Sequence, residues 1–327
     1  MPASQGSHAR VGGKVLALLA APLNLQIIRA LADRPMRLAD LRKATGLPAQ
    51  TTLRGRLSNL VELGVLAKRP TRQMPYAVEN ELMPLGEELL TVADRLESWL
   101  AKAPEGPVTL EMRAAKGAIR ALVDGWESKM MRALAARPLS LTQLDRLIAE
   151  LSYPALERRL ASMRLAGLVE AGPSRGAGGT PYTVTPWARL GVSPLIAASH
   201  CERLHMEHDS APVTQIDIEC AFLLATPLVG LAPNLAGTCQ LEVESAPGAP
   251  RAPSGVLVEV DQGKVVSCVS QLAESPTAFA AGSPGRWFRA VQEGSIEELR
   301  FGAGDGLARA LVGGLHSALA APAPAPS

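Results

Sequence analysis

The sequence predicts a multi-domain α+β protein with two similar units in tandem and a third, α/β unit behind them. Three observations predict this class: an internal repeat, hydrophobic patterns in a fixed order, and a change of charge along the chain. Residues 29–38 (RALADRPMRL) return as residues 132–141 (RALAARPLSL), and this offset of 103 residues continues without a gap to Gly64 and Gly167. A unit of roughly 85 residues is too long for a solenoid repeat and indicates a duplicated domain.

Charge separates the front of the chain from the back. Residues 1–200 contain 26 Lys and Arg against 17 Asp and Glu, a balance of +9, whereas residues 201–327 contain 7 against 14, a balance of −7. A basic front predicts a polyanionic partner for that part, although drift in an Ala/Arg/Pro-rich sequence is an equal alternative. We place the domains at 12–103, 112–210 and 211–320, followed by a disordered Pro-Ala tail at 321–327.

The composition predicts a cytoplasmic protein without a membrane partner. No segment reaches the roughly 18–20 apolar residues of a membrane span. The first 13 residues lack the apolar core and cleavage site of a secretory signal. The four cysteines, all behind the repeats, are widely spaced without a Cys-x-x-Cys, which favours reduced thiols over a disulfide framework.

The first unit is expected to fold as helix, short helix, turn, helix and basic hairpin. The elements in order are a helix with Leu23, Ile27, Ile28 and Leu31 on one side that ends at Arg34-Pro35, a short helix at 38–44, a tight turn at 45–48, a third helix from about Ala49 to Leu63, and a hairpin at 65–78. This order predicts a winged helix-turn-helix. A helix about 10–12 Å across fits the DNA major groove, and a basic hairpin beside it reaches phosphate or the minor groove.

These residues resemble the HxlR branch of the MarR-like winged-helix regulators. The resemblance is carried by Arg37-Leu38-x-x-Leu41, Thr52-Leu53-x-x-Arg56-Leu57-x-x-Leu60-x-x-x-Gly64-Val65-Leu66, Pro75-Tyr76-x-Val78, Pro84-Leu85-Gly86 and Trp99. It implies that the third helix is the recognition helix. It also implies that the helix after the wing, here roughly 86–100, pairs two subunits.

The second unit departs from the first in its turn, third helix and wing. Its turn is Leu151-Ser152-Tyr153-Pro154, without Gly and with Ser152 as a candidate N-cap. Its third helix carries Glu157, which repels phosphate unless a neighbouring arginine offsets it. Its Gly-rich wing is predicted to be about three residues longer than the first. The second unit therefore either binds DNA more weakly or only supports the first.

DNA-contact candidates follow from the outward side of each third helix and from the wings. Candidates for base edges are Gln50, Thr51, Arg54, Tyr153 and Arg158, and candidates for phosphate are Arg56, Lys68, Arg69, Arg72, Arg159 and Arg175. Arg56 and Arg159 adjoin core leucines, so an intramolecular salt bridge is the alternative for both. Winged helices also serve as protein-docking modules, which is the alternative for the whole arrangement.

A helix around 194–209 is expected to close the second unit. Three of the five histidines of the chain lie on it, and Cys201, His205 and His208 are spaced to share one face. Without a Cys-x-x-Cys or a fourth ligand, a polar interdomain helix is the better interpretation, and no metal or cofactor is predicted.

The back third has a mixed pattern. Strands are predicted at 241–244 and 255–260, a hairpin turn at 261–263, a strand at 264–269, short helices at 276–281 and 287–293, and a long helix at 307–319. The strand-turn-strand, with the run Gly282-Ser283-Pro284-x-x-Trp287-Phe288-x-Ala290, Gly294 and Leu307-x-x-x-Leu311, resembles sterol-carrier-protein-like domains. The fold class is then two winged helix-turn-helix domains in tandem followed by an α/β sterol-carrier-like domain.

The sterol-carrier resemblance implies a pocket for an apolar or amphipathic small molecule. Its candidate lining residues are Phe222, Leu223, Phe279, Trp287, Phe288 and Leu311. The alternative for each of them is a place in a core without a ligand.

The function hypothesis is a DNA-binding transcription regulator. Two tandem copies predict a monomeric pseudo-dimer on an imperfect palindrome of double-stranded DNA, with an apolar effector in the third domain and further dimerisation left open. The alternative is a docking scaffold or carrier that does not bind DNA. No nucleophile-base set, phosphate loop or zinc signature predicts an enzyme.

Overall fold

The first unit packs five helices around a small sheet. The computed structural model describes residues 11–70, 78–126, 129–149, 151–173, 179–206, 210–245, 252–302 and 304–320. The first unit comprises α1 (Gly13–Leu19), α2 (Pro22–Leu31), β1 (Met36–Arg37), α3 (Leu38–Ala44), α4 (Gln50–Glu62), β2 (Leu66–Pro70), β3 (Val78–Leu82) and α5 (Pro84–Leu100). The strands are antiparallel in the order β1-β3-β2. Pro22 and Pro84 each begin a helix, where the missing N–H costs nothing.

The second unit repeats the order of elements of the first, with one additional short helix, α10, before its last helix, and it has the same sheet. It comprises α6 (Arg113–Trp126), α7 (Lys129–Ala136), β4 (Leu139–Ser140), α8 (Leu141–Leu147), α9 (Tyr153–Leu165), β5 (Val169–Ala171), β6 (Pro181–Val184), α10 (Pro186–Leu190) and α11 (Val192–His205). Its strands run in the order β4-β6-β5. A capping box between Ser140 and Gln143 begins α8. Ser152 occupies the N-cap of α9, but its side chain makes no capping hydrogen bond.

The wings correct two predictions. The first hairpin, predicted at 65–78, extends further, because its second strand runs over Val78–Leu82; residues 71–77 fall outside the described part. The second wing is not longer: Val169 pairs with Val184 as Leu66 pairs with Leu82, which leaves it one residue shorter than the first. Both copies contain Pro-Tyr-x-Val, yet Val78 pairs with Pro70 at the far end of β2, whereas Val184 pairs with Val169 at the start of β5.

A short helix, α10, precedes the closing helix of the second unit. The helix predicted around 194–209 is present as α11 (Val192–His205), and residues 207–209 fall outside the described part; α10 meets it at Gly191. A β-carbon on Gly191 would lie only 2.9 Å from a methyl carbon of Leu122. Glycine therefore lets α6 approach the junction closely.

The third unit is a five-stranded sheet covered on one face by three helices. It comprises α12 (Gln215–Ala225), β7 (Gly237–Val243), β8 (Ser254–Asp261), β9 (Lys264–Val269), β10 (Ala278–Gly282), α13 (Pro284–Glu293), β11 (Arg300–Phe301) and α14 (Asp305–Ala320), with a 3₁₀ turn at Thr226–Leu228. The strand order is β11-β10-β7-β8-β9, in which only the β10–β7 pairing is parallel. The short helix predicted at 276–281 is wrong. This alanine-rich run is instead strand β10, because it pairs with β7 and its alanines are buried in the core of the unit.

The three units share one continuous apolar core. At one junction, the buried Glu202 on α11 accepts hydrogen bonds from the backbone N–H groups of Gly12, Lys14 and Val15, at 3.1, 2.6 and 3.0 Å. Burial raises the pKa of Glu202, and the three N–H donors oppose that rise. A side chain of the second unit therefore caps the first helix of the first.

The last helix of the third unit reaches both other units. Arg95 on α5 donates to the carbonyls of Leu319 and Ala320, both at 2.6 Å, and Ser193 on α11 donates to the carbonyl of Leu319 at 2.9 Å. These carbonyls end α14 and lack partners within the helix. The end of one helix is thus held by α5 and α11 together.

No single helix in the described residues is long and apolar enough to cross a membrane. Helices α1 and α2 reach that length and composition only as a pair, across a bend of 84°.

Candidate nucleic-acid interface

The turn between α3 and α4 sets the direction of α4. Gly46 and Leu47 both have left-handed backbones, with φ of 78° and 59°. Glycine takes this conformation without steric cost, whereas Leu47 does not. The hydroxyl of Thr45 donates to the carbonyl of Leu41 at 2.7 Å, and Arg42 Nε donates to the carbonyl of Pro48 at 3.0 Å. These bonds hold the two helices in a helix-turn-helix arrangement.

Helix α4 has one buried and one exposed side. Leu53, Leu57 and Leu60 are buried against the unit. The exposed side carries Gln50, Thr51, Arg54 and Arg56, together with Ser58 and Asn59. Among the described residues, Arg54 and Arg56 form no ion pair, so the salt bridge considered for Arg56 is not seen there. This side presents two cations and several hydrogen-bonding groups to solvent.

The first wing presents one exposed lysine and one paired arginine. Lys68 is exposed on β2. Arg69 lies 3.3 Å from Glu81 across the hairpin, with the two side chains 58% and 37% exposed. An exposed pair of this kind contributes only about 0–1 kcal/mol, so a phosphate could compete for Arg69. Arg72 lies outside the described residues.

Helix α9 exposes a different set of side chains from α4. Tyr153 is 45% exposed at the first residue of the helix. Arg158 and Glu157 are exposed, and Arg158 Nε donates to the carbonyl of Pro154 at 3.3 Å, which leaves its two terminal nitrogens for a ligand. Arg159 is half-buried, and Arg175 lies outside the described residues. The two third helices are equivalent in position but not in chemistry.

Helices α5 and α11 pack against each other and bring the two units together. Beside this contact the rings of Trp99 and Trp187 stack with centroids 4.4 Å apart and planes 5° apart. Trp99 Nε1 donates to the carbonyl of Trp187 at 3.0 Å, and Trp187 Nε1 donates to the carbonyl of Trp99 at 2.8 Å. Sequence reasoning identified Trp99 only through a family resemblance and gave Trp187 no role.

The connection between the units also packs on the second unit. Gly167, with φ of 73°, follows α9, and a β-carbon there would lie 3.1 Å from Cγ of Pro104. Glycine permits both the left-handed backbone and the approach of the connecting segment.

The His/Cys cluster does not form a metal site in the described part of the chain. No group of three His, Cys, Asp or Glu side chains there is arranged to hold a metal, and His208 lies outside it. His200 stacks on Phe288, with the ring centroids 6.4 Å apart.

The cysteines are expected to be inert in the folded protein. Burial raises the pKa of Cys201, Cys239 and Cys268 to about 12 and raises that of Cys220 as well. Because the thiolate is the nucleophile, iodoacetamide at pH 7.5 should alkylate each native cysteine at least ~10³-fold more slowly than a free thiol. Mass spectrometry after timed quenching measures this, with the urea-unfolded chain as the control. Rapid modification of any native cysteine would contradict it.

The predicted ligand-pocket residues of the third unit lie mostly in its core. Phe222, Leu223, Trp287, Phe288 and Leu311 are buried, and Phe222 meets Trp287 edge-on at 4.7 Å. Phe279 points to the sheet face away from the helices and is covered by Arg300, 5.4 Å from the ring centroid. Phe222 and Phe288 line a cavity of about 30 Å³ between α11, α12 and α13. Drug-sized ligands occupy roughly 300–1,000 Å³, so this cavity is of water size.

Part of the chain matches a known protein family. Residues 19–106, about a quarter of the chain, match the HxlR-like helix-turn-helix family. This match supports transcription regulation and a DNA partner for that part. No curated protein matches the chain.

Proposed function

We propose that the chain is a transcription regulator that binds double-stranded DNA as a single-chain pseudo-dimer on an imperfect palindrome. The observation that carries the proposal is the pairing of α5 with α11 and of Trp99 with Trp187, because such contacts join two units as a dimer interface would. The unequal sides of α4 and α9 favour unequal half-sites. We propose that the protein acts by binding DNA rather than by catalysing a reaction, and that it does so in the cytoplasm.

The proposal treats residues 112–210 as a second winged helix-turn-helix. Its support is the repeated order of elements and strands, and the exposed arginines on α9. The third unit, for which the sterol-carrier resemblance stays a prediction, would act through its contacts with α5, α7 and α11. The cavity of about 30 Å³ between α11, α12 and α13 would hold an apolar effector only if these helices separate.

Fluorescence anisotropy on DNA from upstream of the gene, beside a scrambled duplex, tests the proposal. We expect a preference for the upstream duplex that survives from about 50 to 200 mM salt, at one chain per site, while overall affinity falls steeply with salt. Equal binding to the two duplexes that disappears at the higher salt would mean that the basic face attracts polyanions without reading sequence. Absence of binding to any duplex in a wider selection would favour a docking scaffold or carrier.

The variant Arg54→Gln is the most direct single test of whether the first unit contacts DNA bases. Because Arg54 is exposed and forms no ion pair among the described residues, Arg54→Gln should leave thermal unfolding unchanged. It should weaken operator binding about 5- to 150-fold, the range for one bidentate arginine–guanine contact. Arg309→Gln, which removes an exposed arginine of the third unit paired with Asp305, is the control and should bind normally. Equal affinity of both variants would remove Arg54 from the interface.

A further inference from the structure

Helices α4 and α9 present equivalent positions in the same register. Each is 13 residues long, and α9 begins and ends 103 residues after α4, which is the offset of the repeat. A left-handed glycine follows each helix, Gly64 with φ of 74° and Gly167 with φ of 73°. The backbone N–H groups of these glycines and of the residues after them bond to equivalent carbonyls of the two helices. Residues 103 apart therefore stand at the same position on α4 and α9.

At one of these positions the charge is reversed. Arg54 on α4 corresponds to Glu157 on α9, and both side chains are exposed. In the part of the chain that the structure describes, neither side chain forms an ion pair. The leucines next to this position are buried in both helices. The core is thus retained, and the reversal alters only what the position offers to a ligand.

The two side chains recognise opposite members of a base pair. In the major groove, arginine donates to O6 and N7 of guanine, whereas a glutamate carboxylate accepts from N4 of cytosine. We propose that Glu157 selects cytosine in the second half-site, at the position where Arg54 selects guanine in the first. This proposal rests on the proposed function, in which α4 and α9 each occupy one half-site.

Arginines near Glu157 offset its repulsion of phosphate. Arg158 and Arg159 follow it in α9 and, together with Arg120 of α6, line one hollow between these two helices. Three cations against one carboxylate leave this side of the second unit positive, as attraction to the DNA backbone requires. Glu157 then lowers the affinity of the second unit for DNA in general and adds a preference for one base.

The proposal specifies how the operator departs from a palindrome. In a perfect inverted repeat, each half-site carries guanine at this position on its own strand. With cytosine in the second half-site, the guanine of that base pair lies on the opposite strand. One strand of the operator therefore carries guanine at both positions, at equal distances from the centre.

Selection of duplexes from a randomised pool by the full chain tests this pattern. We expect the selected duplexes to carry guanine on one strand at both positions. In competition measured by fluorescence anisotropy, replacing the cytosine in the second half-site by any other base should weaken binding about 5-fold or more.

Two substitutions of Glu157 should change the selected base in opposite ways without affecting folding. Glu157→Arg should select a perfect palindrome, because both helices then carry arginine at this position. Glu157→Gln should shift the preference from cytosine to adenine, since glutamine pairs with N6 and N7 of adenine. Because Glu157 is exposed, both variants should keep the melting temperature of the unmodified chain.

Glu274→Arg is the control for the added charge. It replaces an exposed glutamate of the third unit and should select the same duplexes as the unmodified chain. Selection of a perfect palindrome by the unmodified chain, selection of a single half-site, or an unchanged preference in Glu157→Arg would each overturn the proposal and leave DNA binding intact. A pool that yields no preferred sequence would overturn the proposed function as well.

Discussion

Trp187→Ala is expected to lower the free energy of unfolding by about 3–5 kcal/mol, the usual cost of removing a buried aromatic side chain. Trp187 is 6% exposed and stacks on Trp99 with their centroids 4.4 Å apart. The substitution leaves a cavity and removes the side-chain donor of the Trp99 carbonyl, which keeps the backbone N–H of Lys102. Because the pair joins the two units, we also expect the affinity of the protein for the operator to fall more than its affinity for scrambled DNA.

Chemical denaturation of Trp99→Phe, Trp187→Phe and the double variant separates stacking from hydrogen bonding. Phenylalanine keeps an aromatic ring and removes the N–H donor, so each single variant should lose less than the corresponding alanine variant. The double variant should depart from additivity because the two residues share both contacts. Additive losses within about 0.3–0.5 kcal/mol would mean that the rings do not act as a pair.

Arg132→Met is expected to cost about 3–5 kcal/mol, because it leaves a buried carboxylate without its cation. Glu219 on α12 is 1% exposed and lies 2.7 Å from Arg132 on α7. The hydroxyl of Ser270 also donates to Glu219, and Arg132 donates to that hydroxyl at 3.1 Å. Glu219→Gln should cost less, since Arg132 is 34% exposed and can be rehydrated.

The duplicated position supplies a matched control. Arg29, the first-unit counterpart of Arg132, pairs with Glu97 on α5, and the two side chains are 39% and 32% exposed. Arg29→Met should therefore cost about 0–1 kcal/mol, as exposed ion pairs do. Urea unfolding of both variants at pH 7 makes the comparison. Equal costs would show that burial of Glu219 does not decide the energy of its pair.

Local features of the fold were predictable from the sequence. The turn at Gly46 and the inward leucines of α4 were predictable because spacing and a left-handed residue act within a few positions. Strand β10 was not, because its alanines favour a helix in isolation and form a strand only beside β7. Tertiary pairing overrides intrinsic preference there.

Contacts between the units could not be predicted from the sequence. Trp99 and Trp187 are 88 residues apart, and nothing near either residue indicates the other. Arg29 and Arg132 hold equivalent positions in the repeat, yet Arg132 binds a carboxylate of the third unit and Arg29 binds one of its own unit.

The pairing of α5 with α11 within one chain changes how the protein would respond to dilution. Two separate subunits dissociate as their concentration falls, so the DNA-competent species is lost faster than the protein itself. Here the second unit stays at a fixed, high effective concentration beside the first. Operator occupancy should follow a simple one-to-one isotherm down to a few molecules per cell. The copies are also free to diverge, since a substitution changes one half of the pair and leaves the other intact.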